Sequence, residues 1–179
     1  MDNNLENKLR DIIRDVPDFP KKGILFKDIT PILSNAGMMH DITNFLSVLY
    51  RNQSIDVVAG IESRGFIFGS LLAQSLGVPF VPIRKAGKLP YDTIRKSYQL
   101  EYGEAALEIH TDAFKPGDKV LIHDDLLATG GTAAAAAELI VEAGAQVVSY
   151  NFLIELGFLN GRSNLSGEIA GSIYSIVKY

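Results

Sequence analysis

Apolar positions along the chain follow two rhythms. Leu5, Leu9, Ile12 and Ile13 recur at helical spacing and predict an amphipathic helix over 3–14, stopped by Pro17 and Pro20. Ile42, Phe45, Leu46 and Leu49 predict a second over 38–51. Shorter apolar runs at 55–61, 78–83, 120–122, 147–154 and 172–177 read as strands of the buried kind. Two more helices are predicted, 65–76 ended by Gly77 and 133–142 ended by Gly144. The chain thus holds two strand–loop–helix units, 55–76 and 120–143. Parallel pairing would bring both loops to one sheet edge, where open α/β sheets bind ligands. The expected fold is α/β, a mostly parallel sheet flanked by helices in one domain spanning 1–179.

Two stretches break the pattern. Residues 17–34 contain Asp18-Phe19-Pro20 and a mixed run from Gly23 to Pro31 with no clean period, which alone reads as a connecting loop with Phe26 buried. Residues 84–102 carry Arg84, Lys85, Lys88, Arg95 and Lys96 against Asp92 and Glu101. Gly87 and Pro90 interrupt regular structure there, and few apolar residues could pin the stretch to a core. It is expected to be either a solvated charge run or a basic flap that closes over a polyanion and excludes water.

The chemistry concentrates in Val120-Leu121-Ile122-His123-Asp124-Asp125-Leu126-Leu127-Ala128-Thr129-Gly130-Gly131-Thr132. A strand runs into a small-residue loop that opens a helix, so unpaired N–H groups and the helix dipole face one point and can hold an anion. Gly130 and Gly131 let the backbone wrap a ligand closely, while Thr129 and Thr132 add hydroxyl donors. No lysine lies between Ala128 and Thr132, which excludes a Walker loop, and the G-x-G-x-x-G dinucleotide fingerprint is absent. Asp124 and Asp125 would repel a triphosphate but suit the hydroxyls of a sugar phosphate; alternatively they cap an ordinary turn. The loop Glu62-Ser63-Arg64-Gly65 brings a cation to the same edge, or leaves Arg64 as a surface arginine.

Composition narrows the class. A hydrophobic share of 47% over 179 residues supplies a sizeable core. With no cysteine, neither a disulfide framework nor a thiolate nucleophile is possible. A formal charge of −4 argues against a nucleic-acid surface. The polar, acidic start Met1-Asp2-Asn3-Asn4 lacks a signal-peptide core, and no apolar run reaches the ~18–20 residues that span a bilayer. The expectation is a soluble, cytoplasmic protein with no nucleic-acid or membrane partner.

The run Asp124 to Thr132 closely resembles the phosphoribosyl-pyrophosphate (PRPP) motif of type I phosphoribosyltransferases. Its Leu-Leu-Ala-Thr version is similar to the branch that uses adenine. The resemblance extends from Asp18-Phe19-Pro20 to about Arg162. It implies transfer of a 5-phosphoribosyl group from PRPP to adenine, giving AMP and diphosphate in purine salvage. Ala128, Thr129, Gly130, Gly131 and Thr132 would bind the 5′-phosphate, with Asp124 and Asp125 on the ribose. Ser63, Arg64, Arg84, Lys85 and Lys88 would bind pyrophosphate, and the match leaves open that Arg84 reaches a partner subunit. A cis peptide near Glu62–Ser63 is also implied.

At the base end, the stretch 17–34 resembles the family's hood. Leu25 and Lys27 would offer backbone groups to adenine and Phe26 its ring, with Leu156 on the opposite face unless it is plain core. Many relatives have arginine where Lys27 stands, a neutral exchange only if the backbone does the work. In Leu100-Glu101-Tyr102-Gly103, Glu101 would exchange a proton at adenine N7, with Tyr102 closing beside it in the flap. Mg²⁺ would come with PRPP near Asp124 and Asp125, without direct protein ligands, and no organic cofactor is implied. The family works as a homodimer. Two rivals share the loop: transferases of 6-oxopurines or orotate, and a non-enzymatic regulator that binds PRPP.

Overall fold

In the computed structural model, which describes residues 3–99, 104–165 and 171–179, the buried runs pair side by side as one sheet. Its strands are β3 (Val57–Ile61), β4 (Phe80–Lys85), β5 (Thr93–Gln99), β6 (Glu104–His110), β7 (Lys119–Leu127), β8 (Gln146–Glu155) and β9 (Ser172–Lys178), in the order β5-β6-β4-β3-β7-β8-β9. The block β4-β3-β7-β8-β9 is parallel; β6 pairs antiparallel with β4, and β5 antiparallel with β6. This is the mostly parallel α/β sheet that the apolar runs predict. Every residue of β3 is buried, as a central strand covered on both faces requires.

Side chains alternate along the central strands and sort the helices to opposite faces. Val57, Ala59, Ile61, Val120 and Ile122 share a core with Ala133, Ala135, Ala136, Ala137, Leu139 and Ile140 of α5 (Gly131–Glu142). On the other face α4 (Gly65–Leu76) packs against β3, β4 and β7. Its Gly69 comes so near that an added Cβ would stand 3.0 Å from Phe80 Cε2 and 3.5 Å from His123 Cδ2. The helix stops where expected, at Gly77 in the left-handed conformation (φ 71°).

Within 84–99 the expected lack of regular structure needs correction. Arg84 and Lys85 end β4, and 93–99 is a regular strand paired residue for residue with β6, from Thr93↔His110 to Gln99↔Glu104. Ile94 and Tyr98 pack on the core, and Lys96 reaches Glu138 of α5 at 2.7 Å. The alternation Ile94-Lys96-Tyr98 is the strand signal, hidden because Lys96 sits on the covered face with its ammonium extended to an acid. Glycine and proline do interrupt the chain, but only in the turn between β4 and β5.

Contacts divide the chain into two units, Met1–Leu49 and Tyr50–Tyr179. The sheet belongs to the second. In the first, α1 (Asn3–Ile12) buries Leu5 and Leu9 and ends two residues short of expectation. Arg14–Pro17 (β1) instead pairs antiparallel with Leu25–Asp28 (β2), so part of the expected loop is a hairpin. Its turn carries a cis Phe19–Pro20 bond and Asp18 at φ 59°, whose carboxylate accepts from Gly23 N at 2.7 Å. The short helix α2 (Thr30–Leu33) and α3 (Ala36–Tyr50) follow.

Candidate active site

β7 runs unbroken through both acids to Leu127, further than its apolar run suggests, so the acid pair is strand and only 128–130 is loop. Alternation starts the two side chains on opposite faces, but Asp124 Oδ1 turns back to accept from Asp125 N at 2.9 Å, and the two carboxyls stay within hydrogen-bonding reach of each other. Asp124 lines a cavity with Leu126, Leu127, Ala128, Thr129, Gly130, Thr132 and Ala133. Asp125, buried, lies 2.9 Å from Arg64 Nε through its Oδ2. Burial pushes both carboxyls up from their ordinary range. At Asp124 the charge of Asp125 adds to it, whereas at Asp125 Arg64 opposes it.

The cavity is an anion site by construction. Gly130 is the N-cap of α5 and adopts φ 84°, open to glycine but strained for other residues. Its carbonyl accepts the first helical bond, from Ala134 N at 2.9 Å, which leaves the N–H groups of Gly131, Thr132 and Ala133 without an intrahelical acceptor. Thr132 Oγ1 bonds Tyr98 Oη at 3.4 Å, so strand β5 touches the rim of the site.

The loop after β3 lies at the same sheet edge. Glu62–Ser63 is a cis peptide, as the resemblance implied. Gly65 opens α4 so close to β7 that an added Cβ would stand 2.7 Å from His123 O and 3.0 Å from Asp124 Oδ1. Arg64 is thereby aimed at Asp125, while Ser63 is exposed. Glu62, which sequence reasoning passed over, accepts from Arg84 Nε (3.1 Å), Arg84 Nη2 (3.4 Å) and Lys85 N (3.1 Å). Against the burial that raises it, these bonds hold the Glu62 carboxyl below its ordinary range. Arg84 Nη1 also donates to Lys88 O at 3.0 Å, so Arg84 ties the cis-peptide loop to the turn that carries Lys88.

Glu108 is a second functional group that no local signal exposed. It is wholly buried on β6, where Oε1 accepts from Lys88 N and Leu89 N at 2.8 Å each and Oε2 from Arg95 Nε at 3.1 Å. Burial works to raise its pKa, but the backbone bonds from Gly87, Leu89 and Lys88 and the Arg95 bond prevail and take it down to about 2. His123, behind the acids, is also fully buried. Its Nδ1 donates to Asn151 Oδ1 at 2.7 Å, and burial lowers its pKa to about 4, so the ring is neutral.

Of the residues that the resemblance assigns to the base, Leu156 follows β8 and is half-buried, its N–H on Leu127 O at 2.9 Å. In the first unit Leu25 is exposed, Phe26 packs edge-on against Phe19 at 5.1 Å, and Lys27 Nζ pairs with Asp15 Oδ1 at 2.6 Å. The Lys27 ammonium is thus committed across the hairpin, in register Asp15↔Lys27. Glu101 and Tyr102 lie outside the described residues. Among the described residues no group of three or more His, Cys, Asp or Glu could hold a metal ion. No helix of the described residues is long and apolar enough to cross a membrane.

A strand-end acid, a glycine loop on a helix N-terminus and a nearby arginine meet at one sheet edge, the arrangement of an anion-binding α/β protein. The phosphoribosyl transferase domain family matches residues 28–157, and the chain belongs to that family. Within it, the chain is 54% identical over 171 residues to an adenine phosphoribosyltransferase of Syntrophotalea carbinolica, covering 96% of this chain and 98% of that one. The crystal structure of adenine phosphoribosyltransferase from Thermoanaerobacter pseudethanolicus is similar throughout, with TM-score 0.92, 48% identity, and 97% and 99% of the two chains covered. The Saccharomyces cerevisiae enzyme, complexed with an imino-altritol bisphosphate and adenine, has TM-score 0.89 and 41% identity, covering 97% of this chain and 98% of that one.

Proposed function

We infer that the chain transfers the 5-phosphoribosyl group of PRPP to adenine, giving AMP and diphosphate. The observation that carries the reading is the single cavity shared by Asp124 and the 128–133 backbone at the sheet edge. Main-chain N–H groups there take the 5′-phosphate, with the hydroxyls of Thr129 and Thr132. Asp124, which lines that cavity, and Asp125 take the ribose hydroxyls, and Asp125 also orients Arg64 toward the pyrophosphate. Ser63, Arg84, Lys85 and Lys88 complete the pyrophosphate side. As the C1–O bond breaks, the sugar gains oxocarbenium character and these donors stabilise the departing charge. Leu25, Phe26, Lys27 and Leu156 hold the base, Glu101 accepts and returns its proton near N7, and Tyr102 closes over it.

The residues fit Mg²⁺ carried by the substrate. Asp124 and Asp125 are hard oxygen donors, but two carboxylates cannot fill a six-oxygen shell, and Asp125 already faces Arg64. Phosphate and water oxygens would supply the shell near these acids, without direct protein ligands, and the ion would neutralise charge on the leaving diphosphate. The same reading makes the protein a cytoplasmic homodimer.

The test offers adenine, hypoxanthine, guanine and orotate separately with PRPP and Mg²⁺, and follows diphosphate release. Adenine alone should be consumed. Consumption of a 6-oxopurine or orotate instead would move the protein to another branch, and no turnover with any base would favour a regulator.

A further inference from the structure

The phosphate loop has a back wall that no assignment above includes. An anion loop works only if its N–H groups converge on the ligand while its carbonyls point elsewhere, because a carbonyl turned inward repels the anion. Here the carbonyls have a fixed destination. Asn164 Nδ2 donates to Thr129 O at 2.7 Å. Since the acceptor is a carbonyl, only the amide nitrogen can serve, which settles the orientation of the Asn164 side chain. Beside it, the Gly161 backbone lies flat on the loop. A Cβ on Gly130 would run into Gly161 O, and a Cβ on Gly161 would run into Ala128 O and meet Leu127 Cδ1 at 3.1 Å. Two glycines, one on each side, allow this approach.

The wall is itself anchored. It consists of the short turns Gly157–Leu159 and Gly161–Leu165, which follow β8. Leu165 is buried, and Arg162 forks onto the buried Glu155 with Nε at 2.9 and 3.0 Å and Nη2 at 2.7 Å. Arg162 Nη1 donates to Ile173 O of β9 at 3.1 Å, and Lys178 Nζ stands 3.3 Å from Glu155. The turn is therefore fastened to the ends of β8 and β9 and delivers Gly161 and Asn164 to the loop from outside. The phosphoribosyl transferase match ends at residue 157, the first residue of this segment, and does not include Gly161 or Asn164.

We propose that Asn164 and Gly161 are positioning residues for the phosphate: they hold the carbonyls of Ala128 and Thr129 outward so that the loop's N–H groups face the anion. The proposal rests on the phosphate-loop reading above. Neither residue touches substrate; each acts through the backbone of 128–130.

The experiment compares wild type with Asn164→Ala by calorimetry with ribose 5-phosphate, AMP and adenine, alongside steady-state kinetics. One intramolecular hydrogen bond translates into about a three- to tenfold change in affinity. Ribose 5-phosphate and AMP should weaken by that factor and KM for PRPP should rise with them. Adenine affinity and kcat at saturating PRPP should stay within about twofold, with an unchanged melting temperature because Asn164 is exposed. Gly161→Ala should have a larger effect in the same direction. If it fails to fold, Asn164→Ala still decides. Equal ribose 5-phosphate affinity in wild type and Asn164→Ala would overturn the proposal and leave the phosphate site standing. A uniform loss in kcat and in both substrates would overturn it as well. Failure of the wild-type chain to bind ribose 5-phosphate would remove the phosphate-loop reading and the proposal together.

Discussion

Glu108→Gln tests whether a buried carboxylate holds the turn that carries Lys88. In wild type its shortest charge-assisted bonds are two from the backbone N–H groups of Lys88 and Leu89 at 2.8 Å and one from Arg95 at 3.1 Å. Such bonds contribute about 1.5–3 kcal/mol each and neutral ones about 0.5–1.5. A glutamine can keep the two backbone bonds through its oxygen, now neutral, but turns an NH₂ toward Arg95 and loses the third. The gross loss of roughly 4–6 kcal/mol is offset in part because a neutral amide is cheaper to bury. A net destabilisation of about 2–3 kcal/mol remains, which for a chain of this size is a drop of roughly 4–12 °C in melting temperature.

The pH dependence supplies the discriminating readout. The folded pKa of Glu108, about 2, lies below its ordinary value of 4.5, so its contribution is present above 4.5 and fades as pH falls toward 2. Calorimetric melting of both proteins between pH 7 and pH 3 should show the gap narrowing with acid. A gap that stays constant with pH, or no gap at pH 7, would refute the reasoning. Through Lys88 and Arg84 the variant should also raise KM for PRPP more than KM for adenine.

Asp125→Asn removes the charge that faces Arg64; sugar-phosphate affinity should fall roughly tenfold or more by calorimetry, and an unchanged value would count against a role for this acid. Gly65→Ala puts a methyl group 2.7 Å from His123 O and 3.0 Å from Asp124 Oδ1. Stability should drop by about 1–3 kcal/mol with a rise in KM for PRPP, and a variant indistinguishable in both would show that the helix can yield. Lys27→Met breaks the pair with Asp15 and keeps an apolar stem, so adenine KM should stay within about twofold where the Lys27 backbone alone serves the base; a much larger rise would put the cation itself on the base.

What the sequence made legible was whatever is local. The parallel strands show as apolar runs, α4 and α5 as helical stretches with glycine stops, and the phosphate loop as contiguous small residues beside two acids. Pairings between distant segments left no such trace. Arg14–Pro17 and Leu25–Asp28 form a hairpin through their backbones, with prolines and charges where alternation would have been sought. Glu62 and Glu108 read as ordinary acids because their partners lie 22 and 20 residues away on neighbouring elements. Asn164 faces Thr129 across 35 positions of chain. That Asp124 and Asp125 start from opposite faces was implicit in strand periodicity once β7 was known to continue past them, but that Asp124 Oδ1 turns back onto Asp125 N was not.

The run of alanines in α5 has a consequence beyond helix propensity. Ala133, Ala135, Ala136 and Ala137 are at most 4% exposed, while the larger Leu139 and Ile140 come only later in the helix, so methyl groups set the helix's packing toward its leading end. A leucine at Ala136 would prise the cylinder outward and tip its leading end away from the strand tips. The height at which an incoming phosphoryl group is met is thus gauged one and a half turns deeper, by side chains that never see it.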